Sequence, residues 1–132
     1  MDRVRNIDPG EKAFLGLAEA AFESIPLSLR RYVGEVAFHI ADFADAEVME
    51  DMDIDDPYEI LGLYRGVSLD QKEAGGTPAD VDRIFLYLEP ILDYCRASGE
   101  TPQHVVRHVL IHEIGHHFGL SDEDMERIEA MP

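Results

Sequence analysis

Val106, Leu110, Ile114 and Phe118 recur every four residues. That spacing lines four apolar side chains along one stripe of an α-helix and commits the stretch to lying against a core. The ends are marked as well. Thr101 is a capping residue with Pro102 in the first turn, and Gly119 can take the left-handed conformation that stops a helix. The signals predict a helix from Thr101 to about Phe118, around which the rest of the chain must be arranged.

The same helix carries His112-Glu113-Ile114-Gly115-His116, an H-E-x-x-H pattern. Residues four apart share a helix face, with Cβ atoms about 5–6 Å apart. Two imidazoles so placed can meet one zinc ion at about 2.0–2.1 Å. Glu113, one residue on, is turned to the side, where it reaches a water on the ion rather than the ion itself. Zinc makes such a water acidic enough to lose its proton near neutral pH, and a carboxylate can take that proton during attack on a carbonyl. After His116 come two residues, Gly119, two more and Asp122. The glycine lets the chain leave the helix sharply, so that Asp122 can turn back as a third, carboxylate ligand and leave one position open. The spacing predicts one Zn2+ per chain, with His112, His116 and Asp122 as ligands and Glu113 as general base. A buried helix with incidental histidines would explain the apolar stripe. It would not explain two histidines and a carboxylate on adjoining faces, where a bare core rejects charge.

The full pattern, H-E-x-x-H-x-x-G-x-x-D, shares the layout of the metzincin peptidases, with Asp122 where those have a third histidine. More closely, the chain resembles a family of short bacterial zincin-like metallopeptidase domains, the minimal zincins. The likeness is strongest in "HEIGHHFGLSDEDM" and extends to "LGLYRGVSL" and "DRIFLYLEPI". It implies zinc, peptidase-type hydrolysis and a small sheet above the active-site helix, with almost no lower subdomain. On this sequence it maps His112, His116 and Asp122 as ligands and Glu113 as base.

Elsewhere the pattern is that of an α+β chain. Asp8-Pro9-Gly10-Glu11 reads as a helix start, and Phe14, Leu17, Ala18, Ala21, Phe22 and Ile25 follow at helical spacing until Pro26. "PLSLRRY" adds a short helical turn. Strands are expected at 35–41, 60–69 and 83–90, with a loop at 70–80 and a short helix at 90–97. Ser121 or Asp122 caps a last helix carrying Met125 and Ile128. The expectation is one domain over residues 1–132. In it a small mixed β-sheet packs on the N-terminal helix and the active-site helix, with a minimal C-terminal subdomain.

Several other residues invite a role. Gly62 and Gly66 in the second strand mark a bulge or a close approach by another backbone. In zincins an edge strand above the metal holds substrate extended, so Gly62, Leu63 and Tyr64 are candidate substrate contacts. His117, four after Glu113, is a further candidate, weighed against a plain surface histidine. Tyr64 and Tyr58 are candidate transition-state donors. His104 and His108 extend the four-residue spacing backwards but are expected to point away from the metal as structural or surface residues. His39 reads as a hydrogen-bonded core or surface residue of a strand rather than a stray ligand, and Met125 as packing for the last helix rather than a residue beneath the metal like the Met-turn methionine of metzincins. Glu123 and Asp124 compete with Asp122 as third ligand, and the glycine spacing favours Asp122. The acidic run 50–56 has alternate aspartates but neither the glycine nor the glutamate of a calcium loop, and is expected to be a solvated loop.

Charge narrows the partners. The net charge is −17, which repels phosphate backbones and anionic lipid headgroups. We expect a peptide or protein substrate, no nucleic acid and no membrane. The single cysteine, Cys95, excludes an internal disulfide, and "MDRVRNIDPGEK" lacks a signal-peptide apolar run, so a cytoplasmic protein is expected. Two other functions compete. One is a metal-dependent endoribonuclease of the bacterial RNA-maturation type, which would want glycine at 113 and histidine at 122. The other is a non-catalytic metal-binding interaction module, which would not need Glu113.

Overall fold

The computed structural model describes residues 9–66 and 81–131. Helix α1, Pro9–Glu23, buries Phe14, Ala18 and Ala21, and the chain then turns through Ile25 into a single helical turn, α2, Leu27–Arg30. The expected cap at Asp8 lies outside the described residues, as do positions 67–69 of the second strand and the loop at 70–80. Strand β1 is Val36–Ala41, β2 is Gly62–Arg65 and β3 is Asp82–Tyr87. They form one sheet in the order β1-β3-β2, with β1 parallel and β2 antiparallel to the central β3. The mixed sheet anticipated from the sequence is present, and among the described residues β2 is an edge.

Three stretches differ from expectation. The second strand, expected from residue 60, is confined to Gly62–Arg65, so residues 60, 61 and 66 lie outside it. The third strand ends at Tyr87 rather than residue 90, because Leu88 opens helix α4, Leu88–Ser98, whose first turn buries Leu88, Pro90 and Ile91. A proline is tolerated in a first helical turn, where its missing N–H has no partner to lose, so Pro90 marks the helix and not the strand. The acidic run is not all loop. Asp45 caps a short helix α3, Ala46–Asp51, by accepting from the Val48 N–H at 2.9 Å. Only Val48 of α3 is buried, so no apolar stripe announces it. Asp53, at φ 56°, then reverses the chain into a 3-10 turn at Pro57–Glu59.

Helix α5, Pro102–His117, is the centre of the molecule. Thr101 accepts from the His104 N–H at 3.2 Å, as its place before the helix predicts. Gly119, at φ +77°, breaks the helix, and Ser121 caps α6, Asp122–Glu129, by accepting from the Asp124 N–H at 3.1 Å. The main core joins α1, α5, the inner face of β3 and α6 through Phe14, Ala18, Ile84, Leu110, Ile114 and Met125. A smaller cluster of Ala44, Val48, Ile60, Leu63 and Tyr87 fills the other face of the sheet. Among the described residues no helix is long and apolar enough to cross a membrane.

Candidate active site

Two glycines let β2 lie directly on α5. A Cβ at Gly62 would come within 2.8 Å of Val109 Cγ1, and one at Gly66 within 2.7 Å of the His117 ring. The spacing is commensurate. Four strand residues from Gly62 to Gly66 advance about 13 Å, and eight helical residues from Val109 to His117 advance about 12 Å. The strand and helix therefore run side by side in the same direction. Their midpoints, Tyr64 and Glu113, face each other. Glu113 accepts a hydrogen bond from the Tyr64 backbone N–H.

The pairing with β3 fixes which way the strand's backbone faces. Leu61 accepts from the Tyr87 N–H at 3.0 Å, so Leu61, and by alternation Leu63 and Arg65, turn their peptide groups to β3. Gly62 and Tyr64 turn theirs outward, over α5. Below that edge opens a cleft of about 360 Å3, walled by Glu59, Ile60 and Gly62 on one side and His108, His112 and Glu113 on the other.

Glu113 is half-buried in this wall. Burial pushes its carboxyl above the usual carboxylate range, against the downward pull of the Tyr64 N–H and of nearby His116 and His112. A carboxyl moved up in this way is a better proton acceptor at neutral pH than an exposed one.

His112 and His116 lie along the next face of α5, and Asp122 opens α6. The His112 and His116 rings have centroids 6.0 Å apart. Two imidazoles on one tetrahedral ion would have centroids about 5 Å apart, and here His112 Nε2 is turned to Glu129, at 2.8 Å. His116 Nε2 is 3.9 Å from Asp122 Oδ1, near the separation of about 3.4 Å between neighbouring ligands on such an ion. Both side chains are mostly exposed, at 59% and 88%, so nothing blocks their adjustment. Two imidazoles and a carboxylate are a donor set that suits zinc. The donor types suit the ion, although the group the structure gathers within 4.8 Å among the described residues is His108, His112 and Glu129 rather than this set.

A sequence model described as a zincin-like metallopeptidase matches residues 33–131. The chain belongs to that family. A zincin-like metallopeptidase is a metal-dependent peptidase, so a zinc-type ion and peptide or protein substrates follow for this chain at the level of the family. The matched span begins after α1 and α2 and takes in the whole sheet, the H-E-x-x-H helix and α6. No curated protein matches the chain.

In this zincin-like metallopeptidase, some singled-out residues stand apart from the histidine row. The Tyr64 side chain is buried, and its hydroxyl donates to Asp82 Oδ2 at 2.5 Å. Burial first, and then that carboxylate, holds the phenol firmly protonated. Its contact with Glu113 is through its backbone. Tyr58 packs edge-on against Phe43. His117 lies over the Tyr64 ring, with centroids 4.3 Å apart, on the sheet side of α5. The Leu63 side chain belongs to the smaller core cluster, and His39 stacks on Phe85. Met125, fully buried, lies against Gly115, where an added Cβ would come within 2.7 Å of its Cγ.

Glu129 was not anticipated. Its Oε1 accepts from His112 Nε2 at 2.8 Å and its Oε2 from His108 Nδ1 at 2.6 Å. A carboxylate can only accept, so both ring nitrogens carry the hydrogens. Partial burial works to raise the Glu129 carboxyl, but the bonds from His112 and His108 outweigh it and hold it below the usual range. Arg107 anchors this end of α6 by donating to the Glu129 and Met131 carbonyl oxygens, each at 3.1 Å. The usable sequence signal was helical spacing in α6. Asp122, Met125 and Glu129 lie at i, i+3 and i+7, one face, which α6 lays back along α5 from His116 to His108.

Proposed function

We propose that this metallopeptidase is zinc-dependent, with His112, His116 and Asp122 holding the ion and Glu113 acting as general base. The observation that carries the reading is the half-buried Glu113, set between the H-E-x-x-H face of α5 and the outward edge of β2, with its carboxyl raised by burial. The ion, when bound, supplies Lewis acidity that polarises the scissile carbonyl and lets a water lose its proton near neutral pH. Glu113 accepts that proton and delivers it to the leaving amine. The Tyr64 N–H keeps the carboxylate oriented. The outward peptide groups of Gly62 and the Tyr64 carbonyl pair with an extended substrate backbone and so add a strand to the sheet edge. His117 and the Leu63 region border that strand rather than the reacting bond. The family match favours peptide over RNA as the substrate.

Elemental analysis and a peptide-library assay of Glu113→Gln and His112→Ala test this. We expect about one zinc per chain in the wild type and in Glu113→Gln, with cleavage reduced about 100- to 10,000-fold in the latter. His112→Ala should lose both zinc and cleavage. Zinc-free wild type would overturn the reading, and undiminished cleavage by Glu113→Gln would overturn the base. Full zinc with no cleavage of any peptide would leave a metal-binding module.

A further inference from the structure

We propose that His108, His112 and Glu129 form a second site for a divalent transition metal, one helical turn before the H-E-x-x-H face and sharing His112 with it. One donor atom from each residue lies within 4.8 Å of the other two. His108 and His112 are tilted on each other with centroids 4.2 Å apart, so both rings present a nitrogen to the same carboxylate. The bridge has the form of a metal-free N,O,N site, in which two ring protons hold a carboxylate where a cation would hold all three. Contacts of 2.6 and 2.8 Å need to open only to about 3.4 Å for the three to share a tetrahedral ion. Two imidazoles and one carboxylate select zinc, cobalt or a similar ion over magnesium or calcium.

The surroundings support a site rather than a chance surface pair. His112 and Glu129 are only 25% and 24% exposed, and Arg107 fastens the backbone that carries Glu129. His108 and His112 also line the cleft under β2, so an ion can reach them from the cleft mouth. Because His112 Nε2 is the atom that Glu129 engages, the two donor sets compete for one imidazole. An ion at the second site draws His112 away from His116. That consequence for hydrolysis rests on the ligand assignment proposed above; metal binding by the second site does not.

The test is titration with cobalt(II) and zinc, followed by absorption spectroscopy and calorimetry on the full chain. The variants are His116→Ala/Asp122→Ala, His108→Ala/Glu129→Gln and the four together, with circular dichroism to check folding. His116→Ala/Asp122→Ala should still take up one ion. Adding His108→Ala/Glu129→Gln should weaken that uptake by more than the roughly 10- to 100-fold that loss of an outer hydrogen-bonding partner costs. No uptake by folded His116→Ala/Asp122→Ala, or uptake unchanged by the added substitutions, would overturn the proposal. His108→Ala/Glu129→Gln should keep one zinc, with cleavage lowered by no more than the roughly 10- to 100-fold that loss of an outer hydrogen-bonding partner costs. If it instead loses both while His116→Ala/Asp122→Ala keeps its ion, the second site stands and the assignment of His116 and Asp122 falls.

Discussion

At the scale of single residues, Gly115 and Met125 show how the floor beneath the histidines is made. Gly115 occupies the second x of H-E-x-x-H, and the space its missing side chain leaves is where Met125 lies, fully buried. Gly115→Ala gains helix propensity of about 1 kcal/mol but drives a Cβ into the fully buried Met125 thioether. We expect a net loss of about 1 kcal/mol in urea unfolding, since overpacking costs about 1–3 kcal/mol. In a Met125→Ala background the same change should become stabilising by about 0.5–1 kcal/mol. A double-mutant cycle reads that reversal of sign directly, and additivity would show that the two residues do not share the space.

At the scale of elements, the cleft depends on how closely β2 approaches α5. Gly62 sets one end of that approach: an added Cβ would meet not only Val109 Cγ1 but the Phe85 backbone oxygen at 3.0 Å, which cannot rotate aside. Gly62→Ala should lower stability by about 1–3 kcal/mol. By tilting β2 off the helix it should also raise KM more than it lowers kcat. Gly16, on the exposed side of α1, is the contrast, since a Cβ added there would meet nothing within 4 Å. Gly16→Ala should raise stability by about 0.5–1 kcal/mol with kinetics unchanged. Thermal melts and peptide kinetics on the pair separate loss of fit from loss of glycine as such.

At the scale of the whole molecule, a net charge of −17 surrounds a cleft whose walls include Glu59 and Glu113. That field attracts cationic peptides before any contact is made. Raising ionic strength from about 0.01 M to about 0.15 M shortens the Debye length from about 30 Å to about 8 Å. The value of kcat/KM should then fall several-fold for a lysine-rich substrate and rise for an acidic one of the same length. Equal salt dependence for both would mean that the charge serves solubility alone.

The sequence determined what is local. Residues 101–122 carry their own cap, stripe and stop, so the helix, the His112/His116 spacing and the break at Gly119 were all readable from neighbours a turn apart. The strands were readable in place but not in their ends: Leu88-Glu89-Pro90 satisfies a strand and a first helical turn equally, and the buried Ile91 beyond them decided for the helix. The tertiary structure decided what comes from different elements. It set Tyr64 against Glu113 by matching four strand residues to eight helical ones, a register that neither segment encodes alone. It also folded α6 back so that Glu129 reached His108 and His112, across separations of 21 and 17 residues. Helical spacing places side chains within one helix. Where a second helix lays its own face depends on the core that Met125 and Ile128 fill, and that is a property of the packed chain.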